Sequence, residues 1–459
     1  MKKNDIITAC FVCLFFITLL IPVYGQDSLE KEKGKVVFDL KQCIKKAVEV
    51  SPEIGESRYE EEVYKSKKMQ ADSADYPQIE IIALTGPSPE ARKDEFLKTD
   101  ISDSSINGVF GSFTLNVVQP IYTFGKISSY KSAASSGIKV ARAGVDKKTS
   151  DIILRTKEFY YGLLLAKDMK NLVLEIHDEL TRSIEKTEKQ LEADSPWADE
   201  INLYKFRAVL GEAEKNLNEI EKGIALVKDA LRTSMGLPRG TEFDTADSSL
   251  TPEEQVPDEL NTYPEITPVL RPEFVQLHEG LNAKRALIEV EKSNYYPHIF
   301  LGATGYIAGA TNRDRLKNPY VSDIFGDRFI AAYLGLKWSI DFGITKGRVH
   351  EAEAEYAKLL EKKRFADEAI PLQVRKAYLD LEEAKKNILE TKKAYTNAKK
   401  WLVSAIANYD MGIGEAKEIT DAASAYALTK SSYLKSLYNH KLSYATLLYA
   451  TGTDLKELK

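Results

Sequence analysis

Apolar and polar residues follow two different periods along this chain. Long stretches place apolar residues three and four positions apart, as on one face of an α-helix, whereas shorter stretches alternate at every second position, as in a β-strand. The clearest alternation puts these residues on one strand face: Ile330, Ala332, Leu334, Leu336, Trp338 and Ile340. The pattern therefore predicts a mostly α fold with a small β part.

Four strands are predicted, in two pairs. They lie at about 77–87 and 109–119, and at about 297–307 and 329–341. The segments within each pair, 86–108 and 308–328, are rich in glycine, proline, asparagine or charge and are expected to be loops. The alternation from Ile330 to Ile340 covers 11 residues, which is the length of a tilted transmembrane strand. The alternative is a soluble hairpin with one solvent-exposed face, which would show the same alternation.

Two predicted helices are unusually long. Residues 126–191 contain no proline, and residues 346–411 contain only Pro371, which is expected to interrupt or kink the second helix. At ~1.5 Å per residue each would span roughly 100 Å. Short turns near Ser195 and Gly412 should lead into antiparallel partners. Because such helices cannot form a compact globule, they are expected to pack along their length as helical hairpins.

Another helical pattern covers residues 40–74, and this segment introduces an internal duplication. Pro52-Glu53 recurs as Pro272-Glu273, and Phe124-Gly125 recurs as Phe342-Gly343, so the offset is about 220 residues. The chain is therefore divided into two structural repeats, 26–245 and 246–459, each containing a helix, two strands and a long helical hairpin.

The amino-terminal segment has the pattern of an export signal. Lys2 and Lys3 precede an apolar run that ends at Val23, and small residues follow, so residues 1–25 are expected to be a signal peptide. An uncleaved membrane anchor is the alternative. No later stretch approaches the ~20 apolar residues of a membrane helix, so any membrane crossing should use β-strands.

The composition and the absence of certain motifs argue against several classes of function. The net charge of −5 argues against a nucleic-acid partner. Cys43 would be the only cysteine after signal removal, which leaves no intramolecular disulfide. The five histidines show no metal-ligand spacing, and no nucleophile motif or phosphate loop is present. The chain is therefore predicted to be neither an enzyme nor dependent on a cofactor or a metal.

Four membrane strands would require partners from other chains. An open sheet edge is not tolerated in lipid, and about eight strands are the smallest closed membrane barrel. Two chains would supply eight strands and three would supply twelve. The residues alone leave both possibilities open.

A family resemblance rests on several short motifs that occur in a fixed order over the whole mature chain. They are Phe38-Asp39-Leu40, Ser51-Pro52-Glu53, Thr123-Phe124-Gly125-Lys126, Asp341-Phe342-Gly343 and the segment Val374-Arg375-Lys376-Ala377-Tyr378-Leu379-Asp380-Leu381. In this order the chain resembles the TolC family of outer-membrane efflux ducts. The resemblance implies a homotrimer whose four strands per chain share one twelve-stranded β-barrel in the outer membrane of a Gram-negative bacterium.

The resemblance also implies function and partners. The long hairpins would form an α-barrel in the periplasm, and the duct would act passively as the outer-membrane channel of a tripartite efflux or secretion system. Its partners would be a periplasmic adaptor, an inner-membrane pump and outer-membrane lipid. A periplasmic coiled-coil scaffold without a barrel is the alternative, whereas a cell-wall hydrolase would need a compact catalytic domain that the pattern does not contain.

The resemblance assigns roles at the two hairpin tips. Tyr409 and Gly412 match the tip of the second hairpin, and Glu418 and Asp421 match acidic residues that line the closed end of the family's pore. Three copies of each would form stacked acidic rings that favour cations. The alternative is that Glu418 and Asp421 are solvated helix charges.

Adaptor docking is also expected at the tips. The residues concerned are Ser195, Pro196 and Trp197 in the first hairpin, with Tyr409, Gly412 and Gly414 in the second. Gly414 departs from the family pattern, since some members carry a basic residue there that helps to latch the tip. The first tip lacks the matching glycine, and Trp197 is expected to be either an adaptor contact or a packing cap.

Overall fold

The computed structural model describes residues 36–89, 106–195, 199–252, 263–313 and 323–458. The predicted signal peptide, 1–25, lies outside these residues. The elements in chain order are β1 (Val36–Phe38), α1 (Leu40–Val50), α2 (Pro52–Ser73), β2 (Gln78–Pro89), β3 (Ile106–Tyr122), α3 (Lys126–Glu192), α4 (Glu200–Ser234), β4 (Phe243–Thr245), α5 (Tyr263–Leu270), α6 (Pro272–Ser293), β5 (His298–Ala310), β6 (Arg328–Lys337), α7 (Ile344–Asp410) and α8 (Ala416–Thr451), followed by a 3-10 helix, Asp454–Leu458.

The element lengths follow the duplication. Helices α2 and α6 each contain 22 residues, and α3 and α7 each contain 67. Helix α4 has 35 residues and α8 has 36. Each repeat thus consists of a short helix, a strand pair, one very long helix and a returning helix of half its length.

The helices pack side by side as one layer with a fixed order over most of their length. Helices α2 and α4 contact opposite halves of α3, as the bonds of Arg155 with Glu53 and of Arg207 with Glu188 indicate. On its other side α3 packs against α6 and α8, and these two pack against α7. The order across the layer is therefore α2/α4, α3, α6/α8, α7. This leaves α2/α4 at one edge and α7 at the other, except at the hairpin tips, where Tyr409 of α7 contacts Phe206 of α4 and Thr187 of α3.

The strands form an antiparallel sheet with the same order. Strand β2 pairs with β3, β3 with β5, and β5 with β6, so that β2 and β6 are the edges. A separate parallel pair joins β1 to β4. Because α2 leads into β2 and β6 leads into α7, each edge strand is next in sequence to an edge helix.

The register divides the sheet into two chemically different faces. Ile81 lies opposite Leu115, Leu115 opposite Gly305, and Gly305 opposite Ile330. The same face contains Ile79, Ala83, Phe113, Val117, Leu301, Ala303, Ile307, Ala332, Leu334 and Leu336. The other face has a polar ladder in which the Asn116 amide donates to Glu80 and its carbonyl accepts from Thr304 at 3.1 Å.

The expected helix boundaries need correction. The helix predicted over 40–74 is two helices, because Ser51 adopts an extended backbone (ψ 120°) and caps α2, with Pro52 in its first turn. Helix α7 continues through Pro371, so the expected interruption is wrong, whereas the expected kink stays a prediction. Asp367, whose carbonyl loses its helical donor there, is exposed and can bind water instead.

The strand boundaries differ as well. The fourth strand ends at Lys337 rather than 341, because Asp341 caps α7: its Oδ1 accepts from the backbone N of Gly343 and of Thr345. The segments expected to be loops over 86–108 and 308–328 are shorter, since β2 continues to Pro89, β3 begins at Ile106 and β5 continues to Ala310. Within the described residues, no helix combines the length and the apolar composition needed to cross a membrane.

Candidate functional site at the hairpin tips

The second hairpin tip, residues 411–415, turns tightly between α7 and α8. Gly412 has φ +77°, a left-handed conformation that glycine adopts without a steric penalty. The backbone N–H groups of Ile413 and Gly414 both donate to the carbonyl oxygen of Asn408 at 3.1 Å. These bonds satisfy the end of α7 and fix the direction of α8.

Gly414 lies too close to α7 for a side chain. A Cβ atom there would be 2.7 Å from the backbone N of Tyr409 and 2.9 Å from the carbonyl carbon of Asn408. The backbone would have to shift before any other residue could be accommodated. A basic residue at this position would therefore require a different backbone path at the tip.

Tyr409 joins the second hairpin to the first. Its ring is buried and lies edge-on to the ring of Phe206 on α4, with centroids 5.7 Å apart. Its hydroxyl lies 2.8 Å from the Oγ1 of Thr187 on α3. Because Thr187 also donates to the Ser183 carbonyl, the Tyr409 hydroxyl acts as the donor to Thr187. All four long-hairpin helices contribute to the apolar cluster around this contact.

An ion pair lies next to this contact. The Nζ of Lys186 is 2.5 Å from Oδ1 of Asp410, the last residue of α7, and it also lies 5.9 Å from the centroid of the Tyr409 ring. Lys186 and Thr187 were not singled out from the sequence. They lie 224 and 222 positions from their partners, and no local pattern marks them.

Glu418 and Asp421 lie together on the exposed face of α8, where neither carboxylate makes an ion pair with a described residue. The opposite face of this turn is buried through Ala416, Ile419 and Ala422. Glu418 is in the first helical turn, where the helix dipole favours a negative charge. One exposed acidic patch is therefore present, as expected for residues three positions apart on a helix.

The first tip, between α3 and α4, is only partly described. Asp194 adopts φ +45°, taking the left-handed position that glycine fills in the second tip. The backbone N–H of Ser195 donates to the Gln190 carbonyl at 3.0 Å, and Asp199 caps α4. Pro196 and Trp197 lie outside the described residues.

A second polar cluster lies farther along the helical layer, between α3 and α8. Lys430 Nζ is 2.6 Å from Oε2 of Glu175, and the Tyr426 hydroxyl donates to the same carboxylate at 3.1 Å. Burial alone would raise the pKa of Glu175, but the bonds from Lys430 and Tyr426 hold this pKa below its usual value. The cluster fixes the register of α3 against α8.

Comparison with known proteins agrees with this architecture. Residues 269–453 match the family described as outer membrane efflux protein. The resemblance to the TolC family is confirmed. No curated protein sequence matches the chain significantly.

Solved structures with low sequence identity share the fold. The outer-membrane channel OprN is 13% identical with a TM-score of 0.75, over 90% of this chain and 89% of that one. The CmeC outer membrane channel of Campylobacter jejuni is 15% identical with a TM-score of 0.74, over 95% and 94%. The outer membrane protein VceC of Vibrio cholerae is 17% identical with a TM-score of 0.73, over 90% and 96%. These likenesses extend over nearly the whole chain in each case.

Proposed function

We propose that this chain forms the outer-membrane duct of a tripartite efflux or secretion system. Three copies would share a twelve-stranded barrel and continue it as an α-helical tunnel in the periplasm. The duct is passive, and the energy comes from an inner-membrane pump that a periplasmic adaptor links to the hairpin tips. Proteins of this fold that are named as channels support this proposal.

The observation that carries the proposal concerns the edges of the sheet and of the helical layer. Both have unpaired edges, and these edges lie on the same two sides of the molecule. The sheet is open at β2 and β6, and the helical layer is open at α2/α4 and α7. A head-to-tail contact between β6/α7 of one copy and β2/α2/α4 of the next would close both layers at once. Repetition of such a heterologous contact produces a ring.

The distribution of apolar and polar side chains over the two faces of the sheet supports the placement of this sheet in a membrane. Side chains on the apolar face are exposed, and Ile330 and Leu334 retain 90% and 73% of their accessible surface. The polar ladder of Glu80, Asn116 and Thr304 lies on the other face. In a closed barrel the apolar face would contact lipid and the polar ladder would line the lumen.

The opposite end of the molecule would form the gate and the docking surface. Glu418 and Asp421 are exposed on α8, and three copies would supply three carboxylates at each of two levels, which would favour cations. Ser195, Pro196 and Trp197 of the first tip and Gly412 and Gly414 of the second would present the adaptor contact. Tyr409, also expected there from the sequence, is buried and would instead hold the two hairpins together behind this surface. The pairing of Lys186 with Asp410 would hold the two hairpins together when the tip is closed.

The proposal is tested by the conditions needed to extract the protein and by the mass of the extracted oligomer. The chain should fractionate with the outer membrane, require detergent for extraction, and have the protein mass of three chains in light scattering. A protein released by osmotic shock, without detergent and as a single chain, would overturn the duct in favour of a periplasmic scaffold. Conductance of the purified protein in a planar bilayer distinguishes a channel from a membrane-attached oligomer without a pore.

A further inference from the structure

We infer that a cavity at the middle of the helical layer binds a soluble anionic amphiphile, that is, an acyl chain that carries a carboxylate. The cavity has a volume of about 850 Å³ and lies between α1, α3, α8 and the carboxy-terminal 3-10 helix. Binding sites for small molecules usually have volumes of roughly 300–1,000 Å³. The cavity is lined by neither edge of the layer nor the hairpin tips, so it is distinct from the proposed contacts between copies and from the proposed gate.

Helix α1 contributes two adjacent rows of side chains to this cavity. Lys41 and Lys45 lie four residues apart on one helix face, and both are exposed to solvent. Cys43, on the opposite face, is fully buried in the apolar cluster that holds α1 on α3. The second row is apolar and consists of Leu40, Ile44 and Val48. The short helix thus offers positive charge and apolar surface side by side, which is the pattern that an anionic amphiphile requires.

The other elements around the cavity add apolar surface. Tyr161 of α3 lines it together with Tyr444 and Ala445 of α8, and Leu458 of the 3-10 helix lines it as well. Ala445 is buried, and the two tyrosines are half-buried. With the apolar row of α1, these side chains surround a space in which an acyl chain would be removed from water, and this removal favours binding.

The charged side chains around the cavity are predominantly positive. Among the described residues, five lysines and two glutamates line it, which is an excess of three positive charges. Lys157 is buried and pairs with Glu457 at 2.5 Å, so the 3-10 helix is tied to α3 beside the cavity. Lys41, Lys45 and Lys456 are exposed and make no ion pair with a described residue. These three ammonium groups can therefore bind the carboxylate of a ligand.

The position of the cavity favours a soluble ligand over a bilayer lipid, and this choice rests on the proposed function. Lys157 lies 31 residues after Lys126, where α3 begins beside the sheet, which corresponds to ~45 Å along the helix. The acyl chains of a bilayer around the sheet would not reach that far. Residues 26–35, which precede β1, contain three acidic and three basic residues, so this segment adds no net charge that would neutralise the lysines.

The site is tested by equilibrium dialysis of labelled laurate against the purified protein in lipid nanodiscs, with empty nanodiscs as the blank. Laurate should bind saturably, and dodecanol, which has the same chain length without the charge, should displace it poorly. Lys41→Gln combined with Lys45→Gln should raise the Kd of laurate about fivefold, as expected for the loss of two exposed ion pairs. The matched control, Lys205→Gln combined with Lys222→Gln, removes two exposed lysines of α4 that do not line the cavity, and it should leave the Kd unchanged.

Photolabelling locates the bound ligand. A laurate analogue with a diazirine at the end of its chain should label peptides from α1, α8 or the 3-10 helix. Labelling confined to the sheet, absence of saturable binding, or an equal Kd in the wild type and the Lys41→Gln/Lys45→Gln variant would overturn the site. Mass and conductance are measured on the same preparation. A protein that conducts as a trimer without binding laurate refutes only this site, whereas one that binds laurate as a single chain without conducting refutes only the duct.

Discussion

The hydroxyl of Tyr409 lies 2.8 Å from the Oγ1 of Thr187, and this contact joins the last turn of α7 to α3. The neighbouring ion pair of Lys186 with Asp410, at 2.5 Å, joins the same two helices. Two bonds from consecutive residues on each helix therefore hold the hairpins together at the end where the gate is proposed. A hydrogen bond of this kind contributes about 0.5–1.5 kcal/mol.

Removal of the tyrosine hydroxyl should loosen this end. Tyr409→Phe keeps the ring that packs on Phe206 but loses the bond to Thr187, so channels in planar bilayers should open more often. Tyr204→Phe is the control, because the Tyr204 hydroxyl donates to Glu200 within its own helix and joins no other described helix. Equal opening frequencies in wild type and Tyr409→Phe would mean that the contact does not restrain the gate.

Neutral substitutions at the acidic patch should change ion selectivity. Glu418→Gln combined with Asp421→Asn removes two charges per copy, and both side chains are exposed and bury no apolar surface. The reversal potential under a salt gradient should shift towards zero, and block by multivalent cations should weaken, while the oligomer remains intact. An unchanged reversal potential would mean that these carboxylates face the outside of the tunnel.

The tight second tip should not tolerate a side chain at Gly414. Gly414→Ala places a methyl group 2.7 Å from the backbone N of Tyr409, and overpacking of this kind costs about 1–3 kcal/mol. Gly347→Ala is the matched control, because a Cβ there meets open space inside α7 and should stabilise the helix by roughly 0.5–1 kcal/mol. Denaturant unfolding in detergent measures both. A neutral Gly414→Ala would contradict the described tip.

The Glu175–Lys430 pair should make stability depend on pH in the acid range. The pKa of Glu175 is lowered in the folded chain, so its contribution is complete above its unfolded pKa of about 4.3 and is lost as the pH falls through the folded value. Glu175→Gln should therefore be less stable than wild type at pH 7, and this difference should shrink below pH ~4. Thermal unfolding of both proteins at several pH values measures this difference in stability. A difference that does not change with pH would mean that the carboxylate charge contributes nothing.

The sequence predicts most of the fold because its main features are local or repeated. The absence of proline over residues 126–191 predicts the length of α3, and period-two alternation predicts the strands. The break at Ser51 was missed although its signal is present, since a serine followed by proline is a typical helix start. The end of β6 was placed four residues too late, because Asp341 uses its side chain to begin α7, and this competes with continued alternation.

The candidate site is less predictable. The positions of Glu418, Asp421 and Gly412 follow from the family pattern, but the contacts that hold the tip come from residues more than 200 positions apart. Lys186 and Thr187 lie on a helix with many similar polar residues, so only the packing of α3 against α7 distinguishes them. The obstruction at Gly414 likewise depends on a close approach of two backbones.

The central claim is that one molecule crosses the outer membrane, with its strand loops outside the cell and its hairpin tips in the periplasm. It is tested most directly by labelling Ile324→Cys, in the loop before β6, and Ile413→Cys, at the second tip; these side chains are 62% and 76% exposed. A membrane-impermeant maleimide should label Ile324→Cys on intact cells and Ile413→Cys only after the outer membrane is permeabilised. Labelling of neither variant on intact cells, and of both after permeabilisation, would contradict the account and indicate a periplasmic scaffold.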